Sequence, residues 1–236
     1  MTGTVAIETS DVALAGEGAR RCNGYLARPS AGRGVGVVVL HDMFGLNEPI
    51  RGIADGMAQR GFAALVPNLF WRSSNPEAIP YDDAQHPAAW SRLKALDLDV
   101  AAADIGASVR WLRGKAYCNG KVGTVGFCGG GRLAYLAAAR AGVDAAAALY
   151  GLGISEHLSE LGQVKCPLQL HYGLRDQHVP QQEIDAVAAG VQGRPNVEVF
   201  RYPEAGHSFA NPVRPTYDPA ATKLAFERIE AMLRGL

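Results

Sequence analysis

The sequence predicts an α/β fold in which a doubly wound, mostly parallel sheet carries helices on both of its faces. From residue 34 onward, short runs of apolar residues alternate with segments of helical periodicity, which is the pattern of βαβ units. The chain has 236 residues, 48% of them hydrophobic, and this is enough for one large core. We therefore expect a single domain over residues 1–236.

The predicted strands are continuous apolar runs, as in strands buried on both faces, and the predicted helices repeat apolar residues at three- and four-residue spacing. In chain order the strands lie at 35–42, 63–68, 121–128, 145–151, 167–173 and 197–203. The helices lie at 48–62, 88–114, 129–140, 181–191 and 219–236. Residues 73–87 are polar and contain several prolines, so they are predicted to form a surface excursion between a strand and a helix.

Composition narrows the class of ligand. The 23 basic residues balance 23 acidic residues, so the sequence has no electrostatic footprint for nucleic acid or for an anionic membrane surface. It contains neither a secretory signal pattern nor an apolar run long enough to span a bilayer. The cysteines have irregular spacing and no CxxC pair; they are Cys22, Cys118, Cys128 and Cys166. We expect a cytoplasmic monomer that acts on a small molecule without metal or cofactor.

Ligands of doubly wound sheets bind at the carboxyl ends of the strands, and one strand ends in "GFCGGG" at residues 126–131. A G-x-C-x-G turn from strand to helix exposes its middle side chain, because small neighbours allow a tight backbone path. Cys128 would lie there at a helix N-terminus, which favours a thiolate, and the amide of Gly129 would face a developing oxyanion. Asp176 and His207 follow later strands in the order nucleophile, acid, base.

Each of these assignments has an alternative. Cys128 could instead be a buried residue that behaves as a small apolar side chain. Asp176 could be a turn residue before Pro180, and His178 could act as the base in place of His207. The run at 129–134 also matches G-x-G-x-x-A, a dinucleotide fingerprint. It falls in the middle of the chain, however, and the next strand does not end in a carboxylate that would bind a ribose.

Five segments together resemble the dienelactone hydrolases, which are carboxymethylenebutenolidases of the α/β-hydrolase fold. They are "HDMFGLN", "GFAALVPNLF", "NGKVGTVGFCGGG", "YGLRDQHVP" and "EAGHSFA", in this order over nearly the whole chain. The resemblance implies opening of an enol-lactone through an acyl-thiol intermediate without a metal. It also implies that Cys128 is the nucleophile, His207 the base and Asp176 the orienting acid, with the amides of Met43 and Gly129 as the oxyanion hole.

The chain departs from this family in two places. The family has a glutamate after the first core strand that pairs with the resting cysteine, whereas this chain has Asp42, whose side chain is shorter. The Asp42 carboxylate is expected to interact with Cys128, with the local backbone or with Arg51. Members of the family also bind the substrate carboxylate with two arginines, and His86 and Asn211 stand at those positions. Neither replacement offers a permanent bidentate clamp. Three other arginines are alternatives for that role: Arg72, Arg92 and Arg132.

The wall of the substrate pocket is predicted to be moderately apolar. Its predicted substrate-binding residues are Phe44, His86, Trp90, Tyr150, Ser208 and Asn211. A thiolate suits activated esters, since it is a good nucleophile and a better leaving group than an alkoxide. We therefore expect a hydrolase of a small lactone or activated ester. The alternatives are a carboxylesterase or thioesterase for a neutral substrate, and a ligand-binding protein without turnover.

Overall fold

A mixed sheet of eight strands organises the computed structural model, which describes residues 5–17 and 20–236. In these residues the strand order is β1-β2-β4-β3-β5-β6-β7-β8. The strands are β1 (Ile7–Glu17), β2 (Arg20–Pro29), β3 (Gly34–Leu40), β4 (Ala63–Pro67), β5 (Cys118–Phe127), β6 (Ala145–Leu149), β7 (Leu168–Gly173) and β8 (Val197–Tyr202). Strands β3 to β8 run parallel and correspond to the six predicted strands.

The hairpin of β1 and β2 was not predicted from the sequence. Its two strands pair antiparallel with each other, and β2 pairs antiparallel with β4, so the hairpin forms one edge of the sheet. Residues 7–14 of β1 are exposed or half-buried, so this strand carries no continuous apolar run. An edge strand with such a surface lacks the signal that identifies the buried strands.

Helices cover both faces of the sheet, as a doubly wound fold requires. They are α1 (Glu48–Gln59), α2 (His86–Lys94), α3 (Leu98–Arg113), α4 (Gly129–Arg140), α5 (Gln181–Gly190) and α6 (Pro219–Arg234). Helices α1 and α6 contribute to one hydrophobic cluster, and α3, α4 and α5 to the cluster on the opposite face. Among the described residues, no helix combines the length and the apolarity that crossing a bilayer demands.

The single helix predicted at 88–114 is wrong, because the structure divides this segment into α2 and α3. The backbone leaves α2 at Ala95, and the side chain of Asp97 then caps α3 by accepting from the amides of Asp99 and Val100. A carboxylate that satisfies two free amides favours a new helix start over a continuous helix. The break ends α2 at Lys94 and starts α3 at Leu98. A 3₁₀ segment at Ile154–Gln163 was also not predicted.

Candidate active site

Cys128 occupies the sharp turn between β5 and α4. Its φ of 57° and ψ of −119° place it among the non-glycine residues with positive φ, a strained conformation that typically marks a functional site. Close packing enforces the turn, because a Cβ on Gly126 would lie 1.9 Å from the carbonyl oxygen of Gly130. The surrounding backbone therefore holds the cysteine side chain at the carboxyl edge of the sheet.

The same contacts argue against the dinucleotide alternative. A Cβ on Gly130 would lie 2.2 Å from the carbonyl oxygen of Leu40, and one on Gly131 would lie 2.8 Å from that of Leu149. Backbone from neighbouring strands thus fills the space that a pyrophosphate would need. Because these glycines have no side chain, α4 can pack closely against the sheet.

Asp176 and His207, which follow β7 and β8, form a hydrogen-bonded pair. His207 Nδ1 lies 2.8 Å from Asp176 Oδ2, and the Asp176 side chain is only 1% exposed. The other carboxylate oxygen accepts from the main-chain amides of His178 and Val179, at 2.7 and 2.9 Å. Both oxygens are therefore engaged, and the carboxylate fixes the tautomer and the orientation of the His207 ring.

The charge state of His207 follows from its neighbours. Burial alone would lower its pKa, but the charge of Cys128, its hydrogen bond to His207 and the Asp176 carboxylate together raise that pKa to about 10. A raised imidazole pKa favours the imidazolium form of His207 at neutral pH, which places a positive charge beside the sulfur of Cys128. In this structure the cysteine thus has the histidine as its electrostatic partner.

His178 lies beside this pair without joining it. Its ring centroid is 4.7 Å from that of His207 in an edge arrangement, but it meets Asp176 through its main-chain amide and not through its ring. Burial and the positive charge of His207 lower the pKa of His178. The geometry therefore favours His207 as the base.

The amides of Met43 and Gly129 are the predicted donors to an oxyanion. In the turn at residues 43–45, the amides of Phe44 and Gly45 donate to the side chain and the carbonyl of Asp42. In the part of the chain that the structure describes, the amides of Met43 and Gly129 have no acceptor. Free amides beside a nucleophile are the donors that an oxyanion hole requires.

His41 fixes the peptide that carries the Met43 amide. The amide of Leu69 donates to His41 Nε2 at 3.0 Å, so the ring proton must be on Nδ1. Nδ1 then donates to the carbonyl oxygen of Asp42 at 2.8 Å. Burial lowers the pKa of His41 to about 4, so this tautomer is neutral over the physiological range.

Asp42 lies in the wall of the cavity, but other groups engage both of its carboxylate oxygens. Oδ1 accepts from the amide of Phe44 at 2.9 Å and Oδ2 from the hydroxyl of Tyr81 at 2.7 Å. The amide of Val213 donates to Asn211 Oδ1, which directs Asn211 Nδ2 to the Tyr81 oxygen at 2.9 Å. Asp42 therefore bonds the local backbone and Tyr81, while Arg51, the other alternative, pairs with Asp11.

The hydroxyl of Tyr81 stabilises the ionised form of Asp42, and this gives a testable prediction. Burial raises the pKa of Asp42, and the hydrogen bonds from Tyr81 and Phe44 oppose that rise. A buried acid with a raised pKa destabilises the fold when ionised, and this effect disappears as the pH falls through its folded pKa. We expect Tyr81→Phe to lower the free energy of unfolding by about 1–3 kcal/mol at pH 7.

The loss of unfolding free energy in Tyr81→Phe should become smaller as the pH is lowered towards about 4, because a protonated Asp42 no longer needs the hydrogen bond from the phenol. Denaturant unfolding at several pH values measures it. Tyr135→Phe is the matched control, since Tyr135 donates to a main-chain carbonyl and its deficit should not vary in this way. A Tyr81→Phe deficit that is constant with pH would contradict the assignment.

A cavity of about 310 Å³ opens beside Cys128 and His207. Four of the predicted substrate-binding residues line it: Phe44, His86, Trp90 and Ser208. Tyr150 and Asn211 lie outside this lining. The ring of Tyr150 packs against His207 at a centroid distance of 5.1 Å, and Asn211 holds Tyr81. Both act on the site through a neighbour.

Arg214 also lines the cavity, although it was not predicted from the sequence. Its guanidinium lies 5.7 and 5.6 Å from the ring centroids of Phe44 and Tyr81, and the structure records no carboxylate bound to it among the described residues. It follows His207 by seven positions, whereas the family resemblance points to the position four residues after the histidine, which is Asn211. The available signal was a basic residue in the loop after β8.

The three arginines considered from the sequence do not line this cavity. Arg72 pairs with Asp104 at 3.0 Å, and Arg92 donates to main-chain carbonyls. These positions argue against the alternative that Arg72, Arg92 or Arg132 replaces the missing clamp. In addition, no cluster of three or more His, Cys, Asp or Glu suited to a metal ion occurs within the described ranges.

Known proteins resemble the chain over most of its length. The model of the dienelactone hydrolase family matches residues 22–235. A carboxymethylenebutenolidase of Pseudomonas putida is 36% identical over 193 residues, which are 81% of this chain and 82% of that protein. One of Pseudomonas sp. (strain P51) is 31% identical over 97% of this chain and 96% of its own. A provisionally assigned dienelactone hydrolase from Klebsiella pneumoniae subsp. pneumoniae MGH 78578 superimposes with a TM-score of 0.88 at 25% identity, covering 98% and 100% of the two chains.

Proposed function

The chain belongs to the dienelactone hydrolase family and is a hydrolase of esters or lactones, for which we propose a cysteine-dependent mechanism with an acyl-thiol intermediate. One observation carries this proposal. Cys128 lies at the strained turn after β5 and is the electrostatic partner of a histidine that a buried carboxylate orients. Nucleophile, base and orienting acid are thus Cys128, His207 and Asp176.

In the first half of the reaction, the thiolate of Cys128 attacks the acyl carbon and the carbonyl oxygen becomes an oxyanion. The amides of Met43 and Gly129 donate hydrogen bonds to that oxyanion. The tetrahedral adduct then expels the ring or ester oxygen, which receives a proton from the His207 imidazolium. The product of this half-reaction is an acyl thioester on Cys128.

In the second half, neutral His207 takes a proton from water, and the resulting hydroxide attacks the thioester carbon. The same two amides bind the second oxyanion, which collapses and expels the thiolate beside the newly formed imidazolium. Because a thiolate leaves more readily than an alkoxide, this scheme favours substrates with good leaving groups, such as enol-lactones and activated esters.

The lining of the cavity supports a substrate with an apolar body and a carboxylate. Phe44 and Trp90 supply apolar surface, and Arg214 is the cation of the wall. A guanidinium binds a carboxylate through charge-assisted hydrogen bonds. Arg214 therefore takes the role for which His86 and Asn211 lack a permanent charge.

The test of the proposed function is steady-state hydrolysis of cis- and trans-dienelactone beside p-nitrophenyl acetate and butyrate. We expect turnover of a dienelactone by the wild-type protein. Turnover of neutral esters alone would favour the carboxylesterase alternative and remove the carboxylate from the proposal. Stoichiometric binding without burst or turnover would contradict the proposal and favour the ligand-binding alternative.

Arg214→Gln should separate anionic from neutral substrates. Removing one charge-assisted contact should raise KM for a dienelactone about tenfold, while the kinetics with p-nitrophenyl acetate change little. Arg214→Lys should restore part of the affinity, since it keeps the charge without the fork. Arg201→Gln is the matched control, because Arg201 pairs with Asp185 on the surface. An equal loss for both substrates in Arg214→Gln would contradict carboxylate recognition by Arg214.

The proposal extends to the setting of the enzyme. The continuous sheet from β1 to β8 supports one domain, and four free thiols are typical of a reducing compartment such as the cytoplasm. The monomeric state stays a prediction.

A further inference from the structure

In the turn that carries the Met43 amide, the carbonyl oxygens of residues 42, 43 and 44 all accept hydrogen bonds. The Asp42 oxygen accepts from His41 Nδ1 and the amide of Gly45. The Phe44 oxygen accepts from the amide of Ile79 at 2.8 Å. The Met43 oxygen accepts from a side chain, Nη2 of Arg92, at 2.9 Å. The free Met43 amide thus belongs to a turn whose other polar groups are engaged.

Arg92 is a buried cation that binds carbonyls instead of a carboxylate. The residue is 8% exposed, and its Nη1 donates to the main-chain oxygens of Asn75 and Glu77 at 3.0 and 2.6 Å. Its guanidinium also lies 4.1 Å from the ring centroid of Phe70. Burial lowers the pKa of Arg92 to about 10, so it is still charged at neutral pH. One side chain therefore joins the excursion to the Met43 turn.

The next residue of α2 reaches the second oxyanion donor. Leu93 packs on Gly129 so closely that a Cβ there would lie 2.5 Å from Leu93 Cδ1. Ala89, one turn earlier in α2, packs with Phe44 and Ile79 in a small hydrophobic cluster. Helix α2 thus contacts both residues whose amides face the developing charge.

We propose that Arg92 is a positioning residue for the oxyanion hole, which it acts on through the carbonyl of Met43. The inference rests on the proposed function, because it assumes an oxyanion at Cys128. Arg92 does not line the cavity and does not touch the substrate. Its effect comes from geometry, since an oxyanion donor must lie within a few tenths of an ångström of the developing charge to be effective.

Two reactions of Cys128 test this role. Ester hydrolysis passes through an oxyanion, whereas alkylation by iodoacetamide forms a sulfur–carbon bond with loss of iodide and develops no oxyanion. In Arg92→Gln we expect kcat/KM for p-nitrophenyl acetate to fall about 10²-fold, while the alkylation rate of Cys128 stays within about twofold. The kcat/KM of Arg92→Lys for p-nitrophenyl acetate should lie between those of the wild type and Arg92→Gln. A lysine keeps the charge but offers one donor group where Arg92 uses two.

Arg72→Gln is the matched control. Arg72 lies directly before the excursion and binds Asp104, so both rates of this variant should equal those of the wild type. Parallel losses of hydrolysis and alkylation in Arg92→Gln and Arg92→Lys, or no loss in either, would overturn the proposal. If Arg92→Gln does not fold in denaturant titrations, Arg92→Lys alone decides, by the ratio of its two rates.

Failure of the underlying mechanism is distinguishable from failure of this inference. In Cys128→Ala the specific alkylation disappears, and hydrolysis should disappear with it. Hydrolysis that survives in Cys128→Ala removes the proposed function itself. Loss of hydrolysis there, combined with a wild-type ratio of the two rates in Arg92→Gln, removes only the role of Arg92.

Discussion

With Cys128 replaced by alanine, hydrolysis of a dienelactone and of p-nitrophenyl acetate is expected to fall by at least about 10⁴-fold. The thiol is the group that would form the covalent bond, and no other cysteine substitutes for it, since Cys22, Cys118 and Cys166 do not line the cavity. The residual rate then reflects the two oxyanion donors and substrate binding. Initial rates at saturating substrate measure the loss.

The same variant should change the titration of His207. In the wild type, the charge of Cys128 is the first of the influences that raise the pKa of His207 to about 10 against the opposing effect of burial. Without the thiol, Asp176 alone opposes burial, so the pKa should fall. Nuclear magnetic resonance of the imidazole signals across a pH series measures the change.

Cys166→Ala is the matched control for the nucleophile. Cys166 is buried, and burial raises the pKa of its thiol to about 11, so it should be inert at neutral pH. Its removal should leave both hydrolysis and the titration of His207 unchanged. Retention of more than about a hundredth of the activity in Cys128→Ala would contradict the cysteine mechanism.

The grouping of Cys128, Asp176 and His207, which we propose as the catalytic residues, was predictable from the sequence because the signals at these positions are local. The tight turn at Cys128 needs glycines within a few positions, and Asp176 and His207 directly follow apolar strands. Parallel strands bring their carboxyl ends to one edge of the sheet, so the three side chains meet. Local pattern and strand order were sufficient for this part of the site.

The rest of the site depends on contacts that the pattern does not report. Asn211 and Tyr81 are 130 positions apart, and their bond determines where Asp42 points. Arg214 enters the cavity from a loop with neither periodicity nor a motif. The break before α3 depends on a single capping carboxylate, Asp97, within an otherwise helical pattern. Burial and side-chain partners were decisive in each case, and both are tertiary properties.

Asp176→Asn should have the second large effect, about 10³- to 10⁴-fold on kcat. One oxygen of residue 176 must still accept from the amides of His178 and Val179, so the asparagine Nδ2 would be directed towards His207 Nδ1. An amide donor there forces Nδ1 to accept and leaves the proton on Nε2. In that tautomer His207 cannot take the thiol proton.

The pH dependence of alkylation distinguishes this tautomer effect from a loss of structure. Asp176 helps to raise the pKa of His207, so in Asp176→Asn the imidazolium is lost at lower pH and the thiolate loses its partner. We expect iodoacetamide alkylation of Cys128 to slow at pH 7 and to reach its maximum only at higher pH. Asp185→Asn, which alters an exposed ion pair with Arg201, should keep the wild-type profile. A wild-type alkylation profile in Asp176→Asn would mean that the thiolate does not depend on a charged His207, and the ion pair would then have to be removed from the mechanism.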